Sequence, residues 1–454
     1  MLASVLFLIV GWGVVLVLTP SIIRLGLGLD IKDEFRKKHD GKISRLGGVT
    51  LFVAFLITYL ALHVLGSKLG TAWGALGVCT TLMFGLGLWD DLRPLGAKVK
   101  LAGQILIAVL AYFMEIRIDT LTYPGGNFIL TLGFWGFPAT VFWLIAIPNI
   151  INLIDGFDGL ATGIGVFLSL TLGVVALIAQ QQAVACLCFA LSGALLAFLG
   201  YNFPPAKIYL GDGGAYMIGF LIAALSLQSS NKGSVAAALI VTVVALGVPI
   251  LDTTLTIFRR GMQGFPLFRA DRGHLHHRLE ELGFSKRRIV LSLYAVCVVL
   301  SLIGLSILWS QGRTMPIAAG MLFLLALYAV YSLGYFRTWW ELKLLVQRML
   351  MRRRDVQYGI LQGRVLLFEV DRCQSAEEFW SLFFQTAAKM GLMRQPPEGP
   401  GRLLEVPIHH PNGMQHLLYA RLSEHDENYW RLLSDCLEQS CHKADEKWPP
   451  NPHI

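Results

Sequence analysis

Long apolar segments recur along the first three quarters of the chain and are separated by short polar loops. A transmembrane helix needs about 20 predominantly apolar residues, within a range of roughly 17–25. Eleven segments meet this requirement, which predicts an all-α polytopic membrane protein with about eleven transmembrane helices. The predicted spans are approximately 2–23, 46–65, 71–88, 99–116, 137–151, 160–179, 183–200, 213–229, 234–257, 288–309 and 315–334.

The loops between these segments differ in charge. Alternate loops are rich in lysine and arginine, whereas the other set contains only Lys68, Arg117, Lys232 and Arg313. Basic short loops stay on the cytoplasmic side of a membrane. The N-terminus is therefore predicted to lie outside and the chain after the last span to lie inside. One outer loop, 118–136, holds a Tyr-Pro-Gly-Gly-Asn turn between β-prone runs and predicts a short hairpin.

The pattern changes after the last span. From about residue 336, tryptophan and leucine side chains interleave with lysine and arginine, which predicts a basic amphipathic helix suited to an anionic lipid surface. The remainder predicts a small C-terminal α+β cytoplasmic domain, with strands at 364–370, 403–408 and 415–422 and helices at 376–390 and 428–441. The predicted domains are a transmembrane domain (1–335), a linker helix (336–357) and a soluble domain (358–454).

Composition agrees with a membrane protein. Of the 454 residues, 55% are hydrophobic and 15% are charged, whereas soluble domains are about 25% charged. The net charge of +8 follows the basic loops, so it indicates membrane sidedness and not nucleic-acid binding. The seven cysteines form no C-x-x-C pair and predict thiols without disulfides.

Four polar clusters lie at ends of predicted spans on the cytoplasmic side, where ionisable groups are kept mostly for function. The first is Asp90-Asp91, after the third span. Two adjacent carboxylates repel each other unless a cation lies nearby. Lys98, Lys100 or a divalent metal ion would supply that charge. The alternative is a hydrated loop in which an aspartate caps the next helix.

The second cluster is Asn149, Asn152, Asp155 and Asp158, spaced three residues apart. On a helix or tight turn, residues i and i+3 lie on one face, so the four side chains are expected to converge. Their oxygens suit Mg²⁺, uracil or ribose hydroxyls. The alternative is a turn in which these side chains bond to their own backbone.

The third cluster is Asp212, between two glycines at the start of a span. Mg²⁺ often takes one or two protein carboxylates together with substrate phosphates, so a single aspartate is sufficient. A helix N-cap is the alternative role.

The fourth cluster is His274, His276 and His277, in a loop with Arg269 and Arg272. Zinc is disfavoured because arginines flank the histidines and no cysteine is near. Arginine and histidine together suit a pyrophosphate. A solvated loop remains the alternative.

With these clusters, the chain resembles the polyprenyl-phosphate N-acetylhexosamine-1-phosphate transferase superfamily (glycosyltransferase 4 family) over about residues 1–335. The histidine motif resembles the undecaprenyl-phosphate N-acetylglucosaminyl-1-phosphate transferase type, because the muramoyl-pentapeptide type usually carries three consecutive histidines. The resemblance rests on D-D at 90–91, A-K-V-K-L-x-G-Q at 97–104, N-x-x-N-x-x-D-G-x-D-G-L-A at 149–161, N-F-P-P-A-K-I-Y-L-G-D-G-G at 202–214 and D-R-G-H-L-H-H-R-L at 271–279.

The resemblance implies an enzyme of the bacterial inner (plasma) membrane that needs Mg²⁺, for which Mn²⁺ can substitute. It would transfer N-acetylhexosamine 1-phosphate, here GlcNAc-1-phosphate from UDP-GlcNAc, to undecaprenyl phosphate. UMP would leave, and the lipid-linked sugar pyrophosphate would start the synthesis of a cell-envelope glycan.

The resemblance also implies residue roles. The implied catalytic residues are Asp90, Asp91, Asp155, Asp158, His274, His276 and His277. Asp90 is the expected base toward the lipid phosphate, or orients it. The implied metal ligands are Asp212 and Asn152, and the implied substrate-binding residues are Asn149, Lys98, Lys100, Arg269 and Arg272.

Three alternatives stay open at this point. A phospho-N-acetylmuramoyl-pentapeptide transferase would use a different donor with the same chemistry. A transporter would place charges near mid-bilayer, whereas the ionisable groups here lie at the inner ends of spans. The oligomeric state is open, with a homodimer as one alternative, and the resemblance assigns no role to the C-terminal domain.

Overall fold

A computed structural model describes residues 2–28, 43–65, 70–122, 129–229, 235–265, 279, 283–310, 312–332, 339–396, 403–409, 415–421 and 427–449. The chain forms two compact units. The membrane unit comprises Met1–Thr254 and Leu275–Leu333, and the C-terminal unit comprises Leu255–His274 and Gly334–Ile454.

Within the described ranges, twelve helices belong to the membrane unit, and the tenth of them ends in the C-terminal unit. Most are apolar on every side, as expected of helices that are buried or face lipid. They are α1 (Leu2–Gly28), α2 (Gly47–Leu65), α3 (Thr71–Leu92), α4 (Ala97–Phe113), α5 (Gly136–Ile154), α6 (Leu160–Ile178), α7 (Gln182–Asn202), α8 (Gly211–Gln228), α9 (Val235–Ala245), α10 (Gly247–Gln263), α11 (Lys286–Trp309) and α12 (Met315–Ser332).

Seven of the described helices, α1–α3, α5–α7 and α11, are long and apolar enough to cross a membrane. The prediction of a multi-pass, mostly helical membrane protein is therefore confirmed, and the count of eleven spans stays a prediction. The hairpin predicted between the fourth and fifth spans is confirmed, with β1 (Thr120–Thr122) antiparallel to β2 (Ile129–Thr131).

The prediction of one continuous helix over 234–257 is wrong. α9 ends at Ala245, and α10 begins at Gly247. Pro249 explains the break, because a proline has no N–H to donate to the carbonyl four residues earlier and its ring clashes with that carbonyl. The chain continues through a turn at Leu246, whose carbonyl accepts the Ile250 N–H at 2.9 Å.

α8 is the central helix of the membrane unit. It contacts α2, α3, α5, α6 and α9, and nearly all of its residues are buried. Glycines bring its first turn against two neighbours: a Cβ on Gly87 of α3 would lie 2.4 Å from the Asp212 carbonyl oxygen, and one on Gly48 of α2 would lie 2.4 Å from the Gly214 nitrogen. The start of α8 is therefore held in backbone contact with the end of α3.

The C-terminal unit contains helices and one hairpin. Beyond the end of α10 these are α13 (Trp339–Arg372), α14 (Ala376–Lys389), antiparallel strands β3 (Leu403–His409) and β4 (Gln415–Arg421), and α15 (Glu427–Lys447). α14, the hairpin and α15 confirm the predicted elements. The N-terminus of α14 is capped by Ser375, whose hydroxyl accepts the Glu378 N–H, while the Glu378 carboxylate accepts the Gln374 N–H.

The strand predicted at 364–370 is wrong, because this segment lies within α13, which also runs through the predicted 357/358 boundary. Its buried positions are spaced three and four residues apart, as on a helix. Two glycines allow α15 to approach: a Cβ on Gly359 would meet Leu433, and one on Gly363 would meet Cys436. The buried stripe comprises Val356, Gly359, Gly363, Leu366 and Val370.

Candidate active site

Asp91 joins the end of α3 to the start of α8. Its carboxylate oxygens accept the backbone N–H groups of Asp212 and Gly213, each at 2.9 Å, and the side chain is 7% exposed. The first N–H groups of a helix have no partner within it and attract negative charge. Gly211 has φ +75°, and a Cβ there would lie 2.7 Å from the Asp91 carboxylate. Asp91 therefore caps α8 from a neighbouring helix.

Asp90 points to a different set of groups. Its carboxylate accepts the Leu95 N–H at 2.6 Å and a hydrogen bond from the Lys100 ammonium at 2.5 Å. The same ammonium lies 3.1 Å from the Asp212 carboxylate. The side chains are 11% (Asp90), 24% (Lys100) and 27% (Asp212) exposed, so water and a polar substrate can reach the cluster.

The amide of Asn152, near the end of α5, completes this cluster. Its Nδ2 donates to Asp212 Oδ1 at 3.0 Å. The cluster thus joins the ends of α3 and α5 to the starts of α4 and α8. Helices that cross a membrane in succession bring these four ends together only if all of them lie on the same side.

Asn149 lies one turn earlier on α5 and has a different partner. Its Nδ2 donates to Gln104 Oε1 at 2.6 Å and to the Ile145 carbonyl at 2.8 Å. Gln104 is 1% exposed, and its Nε2 has no hydrogen-bond partner in the described part of the chain. Of the four Asn and Asp side chains at three-residue spacing, only Asn149 and Asn152 lie on α5, which ends at Ile154, and their amides donate to different side chains.

Asp155 and Asp158 lie in the loop that follows α5. Asp155 is the C-cap residue of α5, with its N–H on the carbonyls of Ile151 and Asn152. Asp158 Oδ2 accepts the Ala206 N–H at 3.3 Å. Both aspartates are partly buried, and Asp158 ties this loop to the Pro-Pro loop that precedes α8.

Asn202 and Tyr294 fix the same loop, and neither was predicted as a site residue. Gly159 has φ +75°, its N–H donates to Asn202 Oδ1 at 3.1 Å, and its carbonyl accepts from the Tyr294 hydroxyl at 2.5 Å. Asn202 was visible in the N-F-P-P motif. Tyr294 gave no signal, because it is one aromatic residue on an apolar helix 135 residues further along the chain.

Other predicted site residues lie apart from the cluster or outside the described residues. Lys98 is exposed on α4 two residues before Lys100, and residues i and i+2 on a helix do not face each other. α11 begins close to the site, since Arg287 Nε donates to the Pro204 carbonyl at 2.9 Å. The positions outside the described residues are His274, His276, His277, Arg269 and Arg272.

The donor set fits a magnesium ion. The carboxylates of Asp90 and Asp212 both contact the Lys100 ammonium, and Asn152 adds an amide beside Asp212. Among the described residues, no group of three or more His, Cys, Asp or Glu side chains could enclose a metal. Mg²⁺ does not need such a group, because it keeps several waters and binds one or two carboxylates together with phosphates.

Comparison with known proteins agrees with this geometry. Residues 73–230 match the model of glycosyl transferase family 4. A probable undecaprenyl-phosphate N-acetylglucosaminyl 1-phosphate transferase of Bacillus subtilis is 35% identical over 304 residues, which are 66% of this chain and 84% of the relative. The undecaprenyl-phosphate alpha-N-acetylglucosaminyl 1-phosphate transferase of Escherichia coli is 25% identical over 341 residues, 73% of this chain and 90% of that protein.

A second group of relatives carries a different name. The phospho-N-acetylmuramoyl-pentapeptide-transferase of Listeria welshimeri is 32% identical over 317 residues, 67% of this chain and 96% of the relative. Because residues 73–230 match the family model and the chain is 35% identical to the Bacillus protein over 84% of that protein, the chain belongs to glycosyl transferase family 4.

Proposed function

We propose that this protein transfers N-acetylglucosamine 1-phosphate from UDP-GlcNAc to undecaprenyl phosphate. The observation that carries the proposal is the meeting of Asp90, Lys100, Asn152 and Asp212 at four helix ends on one side of the membrane unit. Two relatives carry this activity in their names, and this chain matches 84% and 90% of their lengths. The product, a lipid-linked sugar pyrophosphate, starts the synthesis of a cell-envelope glycan.

The reaction exchanges one phosphoanhydride bond for another. An oxygen of undecaprenyl phosphate forms a bond to the β-phosphorus of the UDP-sugar, and the bond from that phosphorus to the oxygen bridging to the α-phosphorus breaks. UMP leaves with the bridging oxygen. A phosphate monoester is already mostly dianionic near pH 7, since its second pKa is about 6. The protein therefore needs chiefly to position the two phosphates and to offset their charge.

The cluster is suited to both tasks. Lys100 can donate to a phosphate oxygen from its place between the two carboxylates, and its positive charge offsets part of the charge of Asp90 and Asp212. Asp90 accepts the Leu95 N–H, which fixes its carboxylate toward Lys100. Asp91 acts through the backbone, because its bonds to the first turn of α8 determine where the Asp212 carboxylate lies.

Asp212, with Asp90 and Asn152 beside it, would hold Mg²⁺. A bound Mg²⁺ would supply the positive charge that neutralises the diphosphate and the departing UMP. Because Asp212 lies on the first turn of α8, the metal would lie beside a helix N-terminus, which also attracts phosphate. Chelation of divalent metal should abolish UMP release, and Mg²⁺ or Mn²⁺ should restore it. Full activity after chelation would contradict the metal assignment.

The site also supports a topology. If α9 and the first half of α10 together make one crossing, the twelve described helices would correspond to eleven spans. The meeting of the ends of α3 and α5 with the starts of α4 and α8 agrees with the alternation of basic loops. We therefore place the N-terminus outside, and the active site and C-terminal unit on the cytoplasmic side of a bacterial inner membrane.

One alternative donor has support of its own. The Listeria relatives are named phospho-N-acetylmuramoyl-pentapeptide transferases and are nearly as similar to this chain as the Bacillus protein. The decisive experiment incubates purified protein in nanodiscs with undecaprenyl phosphate, Mg²⁺ and either UDP-GlcNAc or UDP-N-acetylmuramoyl-pentapeptide. We expect UMP release from UDP-GlcNAc. Release from the pentapeptide donor alone would overturn the donor assignment, and release from neither would overturn the function.

A further inference from the structure

α13 exposes an apolar stripe on the surface of the C-terminal unit. The stripe comprises Met351, Tyr358, Leu361, Val365 and Phe368, which are between 45% and 69% exposed. Single exposed apolar side chains are ordinary, whereas a contiguous exposed apolar surface marks an interaction site. The stripe lies outside the family match, which ends at residue 230, and no role in sugar transfer accounts for it.

A second stripe on α13 packs against α15. Val356, Leu366 and Val370 are buried, and Gly359 and Gly363 contact α15. The packing of α13 against α15 therefore uses this buried face. The exposed stripe is a separate apolar surface on the same helix.

The exposed stripe has the spacing of a coiled-coil seam. Three stripe residues are spaced seven apart, at 351, 358 and 365, as a positions of a heptad. The other two, 361 and 368, each follow an a position by three residues and are d positions. Arg354 occupies the remaining d position, so the continuous part runs from Tyr358 to Phe368. At 1.5 Å per residue this part is about 15 Å long, which is short for a coiled coil that must form from free chains.

Charges beside the stripe fit a second copy of the same helix. In a parallel pair, position g of one helix faces position e of the next heptad on the other. Here position g is Arg364 and position e is Glu369, so each copy would place an arginine opposite a glutamate. Glu369 also pairs with Arg372 at 3.1 Å, an exposed pair of small energetic value.

The same charges disfavour a lipid surface as the occupant of this part of α13. Asp355, Arg364, Glu369 and Asp371 flank the stripe with both signs, and Arg372, the last residue of α13, occupies the a position after Val365. An anionic membrane instead attracts helices whose polar face is rich in lysine and arginine. The arginines at 352–354 precede the continuous part of the stripe, where that requirement is met.

We propose that a second copy of this chain covers the stripe, and that two α13 helices pair in parallel around Tyr358, Leu361, Val365 and Phe368. Two copies anchored in one membrane have the same orientation, which a parallel pair requires. Confinement to the membrane also raises their effective concentration, so a short seam is sufficient. This interface is independent of the transfer reaction and would stand if the donor assignment failed.

Cysteine cross-linking in membranes tests the pairing. In the full-length protein, Leu361→Cys puts a thiol at a d position, where the two copies are closest. Arg353→Cys puts one at an exposed position off the stripe and serves as the matched control, and the wild type reports the background from native cysteines. We expect oxidation to give a covalent dimer with Leu361→Cys and no dimer above the wild-type background with Arg353→Cys. Absence of the dimer in the Leu361→Cys variant, or equal dimer in both, would overturn the proposal.

A charge exchange tests the register. Arg364→Glu, made in the Leu361→Cys protein, would place two glutamates opposite each other and should reduce the cross-linked dimer. Adding Glu369→Arg should restore the cross-linked dimer, because the double variant again places an arginine opposite a glutamate with the two charges exchanged. Failure of the double variant to recover would contradict the parallel pairing. A polarity-sensitive probe at 361 that reports burial in vesicles of anionic lipid, without cross-linking, would instead assign the stripe to the membrane.

Discussion

Replacing Asp91 with asparagine separates a structural role from a chemical one. The asparagine amide keeps one oxygen acceptor but presents an NH2 group to the second backbone N–H at the start of α8. A hydrogen bond to a charged group contributes about 1.5–3 kcal/mol, and a carboxylate at a helix N-terminus contributes up to about 2 kcal/mol when partly buried. We therefore expect Asp91→Asn to destabilise the membrane unit by about 2–4 kcal/mol.

The assay measures thermal unfolding and UMP release on the same preparation in nanodiscs. Asp91→Asn should lower both the unfolding temperature and the rate of release, because the first turn of α8 carries Asp212. The matched control is Asp212→Asn, which removes a carboxylate from the same turn without removing an acceptor of its N–H groups. An Asp91→Asn protein with unchanged unfolding temperature and no UMP release would refute the capping role and make Asp91 a chemical group.

Four further outcomes follow from the contacts described. Asp212→Asn should abolish UMP release while the free energy of unfolding changes by less than about 1 kcal/mol, because the loss of one carboxylate relieves the repulsion between Asp90 and Asp212. Appreciable UMP release would remove Asp212 from the site. Lys100→Met should lower turnover about 100-fold or more, as expected for a donor to a charge-bearing substrate, and wild-type rates would exclude that role. Tyr294→Phe should cost about 1 kcal/mol of stability by removing the buried hydroxyl donor to the Gly159 carbonyl, which keeps only the Gly163 N–H, and an unchanged unfolding temperature would contradict it. Lys447→Met should make the C-terminal unit easier to proteolyse without changing transfer, because the Lys447 ammonium caps three carbonyls at the end of α13; equal protease resistance would show that this cap contributes nothing.

The long apolar runs were sufficient to predict a multi-pass helical membrane protein, and seven of the described helices are long and apolar enough to cross a membrane. The sequence also predicted that Asp90, Lys100, Asn152 and Asp212 belong together, since each lies at a helix end on the basic side. Partners could not be read from spacing. The capping of α8 by Asp91 joins residues 121 positions apart, and only the packing of α3 against α8 through glycines reveals it.

The wrong predictions have local causes. A run of apolar residues at 364–370 is compatible with a strand or a helix, and the two glycines that let α13 approach α15 decided in favour of the helix. In the 234–257 segment, hydrophobicity hid the proline that divides it. The i, i+3 argument for Asn149 to Asp158 allowed a helix or a tight turn, and α5 ends at Ile154, so Asp155 and Asp158 lie in the loop that follows.

The central claim is tested most directly by measuring UMP release from UDP-GlcNAc by the wild type and by Asp212→Asn. Both proteins are assayed in nanodiscs with undecaprenyl phosphate and Mg²⁺. If the four helix ends form one phosphoryl-transfer site, the wild type will release UMP in proportion to the lipid acceptor consumed, and the variant will release none at the same folded concentration. Equal rates for the two proteins, or release that does not depend on undecaprenyl phosphate, would contradict it.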